Sequence, residues 1–175
     1  GRLQDALQVR AEIEQLLDSE PGYQAHLTGV VSMESLIMLG LERFDEVLAL
    51  TDAFDSRFGS EHPHARRWTH AHRAFALIFL GRIDEAAQAI QRDIGAWQRD
   101  GLLLRYCGHL ALLAADQGRL ADAARLDGAA QCHQARICWV PDPSGPLARQ
   151  RLVARFHAVG LGQADLERWR REGEA

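Results

Sequence analysis

The chain has 175 residues, of which 47% are hydrophobic and 25% are charged, and its formal net charge is −4. Intrinsic disorder is excluded because the apolar content is too high and the net charge too low, and the length suits one domain. No apolar run approaches the roughly 20 residues of a membrane-spanning helix, and the negative charge argues against direct nucleic-acid contact. Three irregularly spaced cysteines, Cys107, Cys132 and Cys138, form no disulfide framework and favour a cytoplasmic location.

Apolar residues recur along the chain at three- and four-residue steps, the spacing typical of helices with one buried face. Ile83, Ala86, Ile90, Ile94 and Trp97 form one such stripe. Glycines separate these segments, at the places where helices are expected to end. The pattern therefore predicts an all-α fold with about nine helices, at residues 2–18, 22–40, 42–58, 64–80, 82–98, 101–117, 119–136, 145–159 and 163–173.

A heptad repeats at the predicted helix junctions. Gly-Arg-Ile-Asp-Glu-Ala-Ala at residues 81–87 returns as Gly-Arg-Leu-Ala-Asp-Ala-Ala at 118–124, and related heptads begin at Glu42 and Gly1, at spacings of 41, 39 and 37 residues. Glycine permits a tight turn, the acid suits the positive start of the second helix, and alanine permits close helix contact. A repeat of this length predicts stacked helical hairpins.

The heptad resembles the turn of the tetratricopeptide repeat, which reads Gly-Arg-apolar-x-Glu-Ala. The small residue of the first helix is present as Ala74 and Ala111. The period exceeds that family's roughly 34 residues, and Asp127 stands where a large apolar side chain is usual. The resemblance implies a degenerate, right-handed solenoid of helical hairpins over residues 1–136, closed by a loop and C-terminal capping helices over 137–175.

The last third of the chain carries a second resemblance. The heptad of residues 118–124 is followed by Arg-Leu-Asp-Gly-Ala-Ala-Gln at 125–131. A proline-containing loop comes next at 140–146, and two predicted helices close the chain. This order resembles the C-terminal end of bacterial multidomain transcriptional regulators, in which a winged-helix or similar DNA-binding domain and a P-loop ATPase come first. The resemblance covers residues 75–175 and implies that the chain is a segment of a longer regulator. The alternative is a stand-alone tetratricopeptide-like scaffold that binds a peptide or protein.

The histidines offer the densest set of candidate metal ligands, at His62, His64, His70 and His72. Residues two apart on a helix diverge by ~200°, so His70 and His72 cannot chelate one ion together. We expect a solvated or capping cluster here, with a metal held partly by an outside ligand as the alternative. The cysteines lack a second ligand pair, and no nucleophile-elbow sequence occurs, so we expect no metal, no cofactor and no catalysis.

The first helix of each hairpin lines the concave side of such arrays, where peptides, ligands or partner domains bind. Trp68 and Phe75 are two turns apart on one stripe, and aromatic side chains beside an arginine are typical recognition anchors. The alternative is that these residues only pack between repeats. The candidate partner-binding residues are Leu36, Trp68, Phe75, Phe79, Arg105 and Leu112, with Gly108 on the same face.

These observations predict a non-catalytic protein–protein interaction or signal-sensing domain. The expected partners are another protein or the regulator's own upstream domains, with a small-molecule inducer and a second copy of the chain as further candidates.

Overall fold

The computed structural model describes residues 3–18, 24–58, 63–136 and 142–174. Within these ranges the chain forms helices joined by short turns and contains no strand. The nine described helices are α1 (Leu3–Asp18), α2 (Gln24–Gly40), α3 (Phe44–Phe58), α4 (Pro63–Phe79), α5 (Ile83–Arg99), α6 (Leu103–Asp116), α7 (Leu120–Arg136), α8 (Gly145–Ala158) and α9 (Gln163–Glu174).

The predicted all-α fold is confirmed, and each predicted helix boundary lies within two residues of the observed one. Agreement at this level is expected because most boundaries lie beside a local signal, such as a glycine or proline next to a periodic apolar stripe. None of the described helices is both long and apolar enough to cross a membrane.

The repeated heptad builds the same turn at residues 42, 81 and 118, and the copy that begins at Gly1 lies partly outside the described residues. At Gly81 and Gly118 the backbone has φ of 74° and 76°, and the following arginine amide bonds a carbonyl five residues back in the preceding helix. This is the hydrogen-bond pattern of a Schellman helix end, which favours glycine at the left-handed position. Glu42 takes the same place at the end of α2 with φ of 59°, although it carries a side chain.

The arginine that follows each turn pairs with the acid three residues later. Arg82 donates two hydrogen bonds of 2.7 Å to Glu85, and Arg43 makes the equivalent pair with Glu46. The acid lies in the first turn of the second helix, where it also meets the positive end of the helix dipole. The heptad thus encodes both the turn and the start of the following helix.

The helices pack in sequence. The helices of each consecutive pair, α2 with α3, α4 with α5 and α6 with α7, contact one another, and α3 and α5 also contact the first helix of the next pair. The first helices α2, α4 and α6 contact one another in that order. They share one buried core that includes Leu39, Phe75 and Leu112 together with Val47 and Trp97 from the second helices.

The last two helices pack on different partners. Helix α8 lies on α6, and Arg151 of α8 donates a 2.6 Å hydrogen bond to the Phe79 carbonyl at the C-terminal end of α4. Helix α9 lies on α7 so closely that a Cβ at Gly128 would collide with the Arg170 backbone. The C-terminal helices are therefore attached to the array one by one.

The contacts of Asp127 give a physical reason why an acid stands where the tetratricopeptide pattern has a large apolar residue. Its side chain is 3% exposed and lies 2.7 Å from the guanidinium of Arg170 on α9. A large apolar residue at this position could not form that pair. The acid at 127 therefore belongs to the attachment of α9.

Candidate functional site

The structure places most of the predicted groove residues in the core. The buried members are Leu36, Phe75, Phe79 and Leu112. Trp68 and Arg105 are half-buried and adjacent, with the Arg105 guanidinium carbon 5.4 Å from the Trp68 ring centroid. Gly108 is also half-buried. Of the predicted anchors, Trp68 and Arg105 therefore keep side-chain surface that a partner can reach.

An aromatic cluster connects this half-buried pair to the core. Phe75 stacks on the His109 imidazole at 3.9 Å between ring centroids, and it meets the edge of Tyr106 at 4.9 Å. Trp68 and Trp97 both pack edge-to-face on Tyr106. The half-buried Trp68 thus continues a rigid aromatic stack that crosses α4, α5 and α6.

His72 is buried on the same face of α4, one turn after Trp68. The Ser35 hydroxyl donates to the Ser32 carbonyl at 2.8 Å, so its one hydrogen is already used. The 2.6 Å contact between Ser35 Oγ and His72 Nδ1 is therefore donated by the histidine. His72 was expected in a solvated or capping cluster, and that prediction is wrong for this residue, which is 2% exposed.

A second polar chain joins α6 to the segment before α8. The Ser144 hydroxyl donates to Asp142 Oδ1 at 2.7 Å, and the Ser144 amide donates to the same oxygen at 2.8 Å. His109 Nε2 lies 2.9 Å from Ser144 Oγ and must be the donor there, since the hydroxyl hydrogen is already used. In this order of donation, from histidine to serine to aspartate, His109 directs an N–H at the hydroxyl. A base that activates a serine would need to direct a lone pair there instead.

Burial controls the charge of these groups. Desolvation lowers the pKa of His72 to about 4 and also lowers the pKa of His109, so both rings are neutral near pH 7. Burial alone would raise the pKa of Asp142, but the neighbouring His109 and the hydrogen bonds from Ser144 hold it below its ordinary value. The site therefore holds a carboxylate beside two neutral imidazoles.

Asp142, Pro143 and Ser144 together form a short segment that we call the strap. The Pro143 ring fills the space where a Cβ on Gly40 of α2 would lie, Ser144 bonds His109 of α6, and Asp142 acts electrostatically on His72 of α4. In the sequence these residues are recognisable only as part of a proline-containing loop. The feature that marks the strap is its contact with buried histidines of neighbouring first helices. This contact cannot be read from the sequence, because it exists only once the helices are packed together.

A separate cleft of about 270 Å³ opens between α4 and α5, lined by side chains that include Arg66, Arg67, His70 and Asp93. His70 lies 3.2 Å from Asp93 and 3.0 Å from Asp55 of α3, and Arg67 pairs with the aspartate at the end of α5. The hydrogen bond to Asp93, with the charge of Asp55, raises the pKa of His70. This network links three helices through compensated charges.

His62, the His64 side chain and Cys138 lie outside the part of the chain that the structure describes. Cys107 is a buried helix residue, as expected, and its thiol donates to the Leu103 carbonyl. Across the described ranges, no three His, Cys, Asp or Glu side chains are arranged to hold a metal ion. No protein-family model, curated protein or solved structure matches this chain.

Proposed function

We propose that this chain is a tetratricopeptide-like interaction or signal-sensing domain of a bacterial transcriptional regulator, and that it acts without catalysis. The repeated turn supports the tetratricopeptide-like arrangement, because Glu42, Gly81 and Gly118 end three first helices with the same left-handed backbone and the same hydrogen bonds. The regulator assignment rests on the resemblance of residues 75–175.

The observation that carries the interaction function is the pair formed by Trp68 and Arg105. Both side chains are half-buried on first helices, and the ring of Trp68 is fixed by Tyr106, which is 1% exposed. A preorganised tryptophan with an arginine on its face offers apolar area and charge without a large loss of side-chain freedom on binding. This pair is therefore the proposed anchor for a partner.

The polar cluster beside the anchor supports a non-catalytic role. His72 and His109 are each at most 2% exposed, and each donates its hydrogen bond to a serine. The serine hydroxyls in turn donate elsewhere, so neither histidine is placed to withdraw a proton from them. The cluster positions first helices and the strap.

The proposed partner is a protein or the upstream domains of the same regulator, with a small-molecule inducer as the signal and the cytoplasm as the location. Binding at the anchor would favour one arrangement of the first helices and so bias the DNA-binding and ATPase parts. This segment itself would make no contact with nucleic acid or membrane.

The first test is genetic. The reading frame upstream of the codon for residue 1 is sequenced, and we expect in-frame DNA-binding and P-loop modules. A start codon directly before residue 1 would overturn the regulator assignment and leave a stand-alone scaffold.

The second test examines the anchor in the full-length regulator with a transcriptional reporter. We expect Trp68→Ala to reduce the induced response at least tenfold, beyond any loss of folded protein, while the purified variant still melts cooperatively at a lower temperature because the indole packs on Tyr106. Leu104→Ala is the matched control, because Leu104 is a 49% exposed apolar residue next to Arg105. An unchanged response in Trp68→Ala would refute the anchor.

A further inference from the structure

The strap, Asp142–Ser144, covers part of the face that the first helices present. It contacts α2 through Pro143 against Gly40 and α6 through Ser144 bonded to His109. Ser144 is fully buried, although it is a polar residue in a connecting segment. Part of the face proposed for partner binding is therefore already occupied by the chain itself.

The fit between the strap and the face is incomplete. Asp142 Oδ2 is buried and has no hydrogen-bond partner among the described residues, and within the same ranges the buried Tyr106 hydroxyl also has none. Burial raises the pKa of Tyr106; the charge of Arg105 opposes this rise and the charge of Asp142 adds to it, so the carboxylate acts on the phenol. Buried polar atoms without partners cost free energy, so the closed strap is held less firmly than a fully bonded core segment.

We propose that the strap is an internal ligand of the first-helix face, and that an external segment with a carboxylate followed by proline displaces it. The chemistry of this external partner is given by the strap itself: an acid beside His72 and His109, a proline ring against Gly40, and a hydroxyl that accepts from His109. The proposal rests on the proposed function, since displacement matters only if this face binds a partner.

The covalent tether favours the internal segment. A short linker holds its ligand at an effective concentration on the order of millimolar, so an external segment must bind more tightly or carry further contacts. The anchor pair, Trp68 and Arg105, lies about one turn before His72 and His109 on the same two helices and can supply those contacts. Displacement of the strap would thereby couple partner binding to the position of α8, which begins directly after Ser144.

The first experiment measures hydrogen exchange in the wild-type protein. The Ser144 and Gly145 amides bond only within the strap, to Asp142 Oδ1 and to the Asp142 carbonyl, and Ser144 is buried while its side chain bonds His109. Exchange at these two amides therefore needs water to reach the strap, which lifting from α6 would allow. We expect these amides, corrected for intrinsic rates, to exchange at least tenfold faster than those of Ala111 and Leu112, with little dependence on denaturant. Exchange at the same rate and with the same denaturant dependence as α6 would overturn the proposal.

The second experiment supplies the strap from outside. The blocked peptide of residues 142–147, Asp-Pro-Ser-Gly-Pro-Leu, is titrated into the Asp142→Gly/Ser144→Gly variant while the imidazole resonances of His72 and His109 are followed by NMR. We expect at least tenfold tighter binding to this variant than to wild type, and at least tenfold weaker binding of the peptide with asparagine in place of aspartate.

Equal peptide binding to wild type and variant, or none to a variant with a cooperative melting transition, would overturn the proposal. If the variant does not fold, the exchange experiment on wild type decides alone. Peptide binding together with an unchanged reporter response in Trp68→Ala would support the strap and refute the proposed anchor. The opposite pattern would support the anchor and refute the strap.

Discussion

Replacing Arg170 by alanine tests whether one buried ion pair attaches helix α9. The Asp127 carboxylate is 3% exposed, and Arg170, at 20%, places both Nε and Nη2 at 2.7 Å from its Oδ2 oxygen. Without Arg170 the carboxylate keeps the Gln131 amide at 3.0 Å and Arg149 at 4.0 Å. The charge would remain buried and only partly compensated.

Breaking a buried pair from one side typically costs about 3–5 kcal/mol, because the remaining charge stays desolvated. Since Gln131 and Arg149 still compensate part of the Asp127 charge, we expect Arg170→Ala to lower the free energy of unfolding by about 3 kcal/mol. For a chain of this size, that corresponds to a fall in melting temperature of roughly 6–12 °C.

The assay is a double-mutant cycle followed by urea denaturation of Arg170→Ala, Asp127→Ala and the double variant. We expect a coupling energy of about 2 kcal/mol. Asp127→Leu/Arg170→Met replaces the pair by apolar side chains of similar volume, and we expect a stability within about 1 kcal/mol of wild type. Arg171→Ala is the matched control on the same helix and is expected to change stability by less than about 0.5 kcal/mol.

Two results would refute this reasoning. The first is an Arg170→Ala variant no less stable than Arg171→Ala. The second is a coupling energy near zero, which would mean that the pair contributes nothing beyond its separate side chains. Either result would leave close packing of α9 on α7 as the main source of its attachment.

Four further predictions concern stability, each measured by denaturant titration. Glu42→Gly should stabilise the protein by about 1 kcal/mol, because glycine adopts the left-handed backbone without strain, and destabilisation would contradict this. Gly128→Ala should destabilise by about 2 kcal/mol through collision with α9, whereas Gly108→Ala, with open space at its Cβ, should stabilise by up to about 1 kcal/mol. The raised pKa of His70 means that its ion pairs stabilise the fold below about pH 6.5 and lose this effect as pH rises through the folded pKa; His70→Asn should therefore cost more at about pH 6 than at about pH 8.5, and an equal cost would refute it. His72 binds its proton in the unfolded chain near pH 6.5 but in the folded protein only near pH 4, so stability should fall by roughly 3 kcal/mol between these values, and His72→Gln should flatten this slope.

The fold class and the helix boundaries could be predicted from the sequence because their causes are local. The stripe from Ile83 to Trp97 and the glycines at 81 and 101 define α5 to within one residue at each end. Even the turn at Glu42, which lacks glycine, was indicated by the Arg-Phe-Asp-Glu residues that follow it. Each of these signals acts within about two helical turns, the range over which backbone hydrogen bonds and capping operate.

The candidate site could be predicted only in part. Apolar periodicity placed Phe75 and Trp68 on one face, but it does not distinguish the half-buried Trp68 from the fully buried Phe75. That difference depends on what packs over each position. The roles of His72 and His109 could not be predicted for the same reason. The sequence around a histidine does not indicate which serine of another segment forms a hydrogen bond with it.

The nine described helices and the repeated turn between them therefore follow from local sequence patterns. The position of the strap on the first helices and the pairing of Asp127 with Arg170 follow from packing instead, because these contacts span 35 and 43 residues. Helical periodicity predicts which face of a helix is buried, but it does not predict which other element packs on that face. That choice is made by packing and by the pairing of buried polar groups, which act between segments distant in the chain.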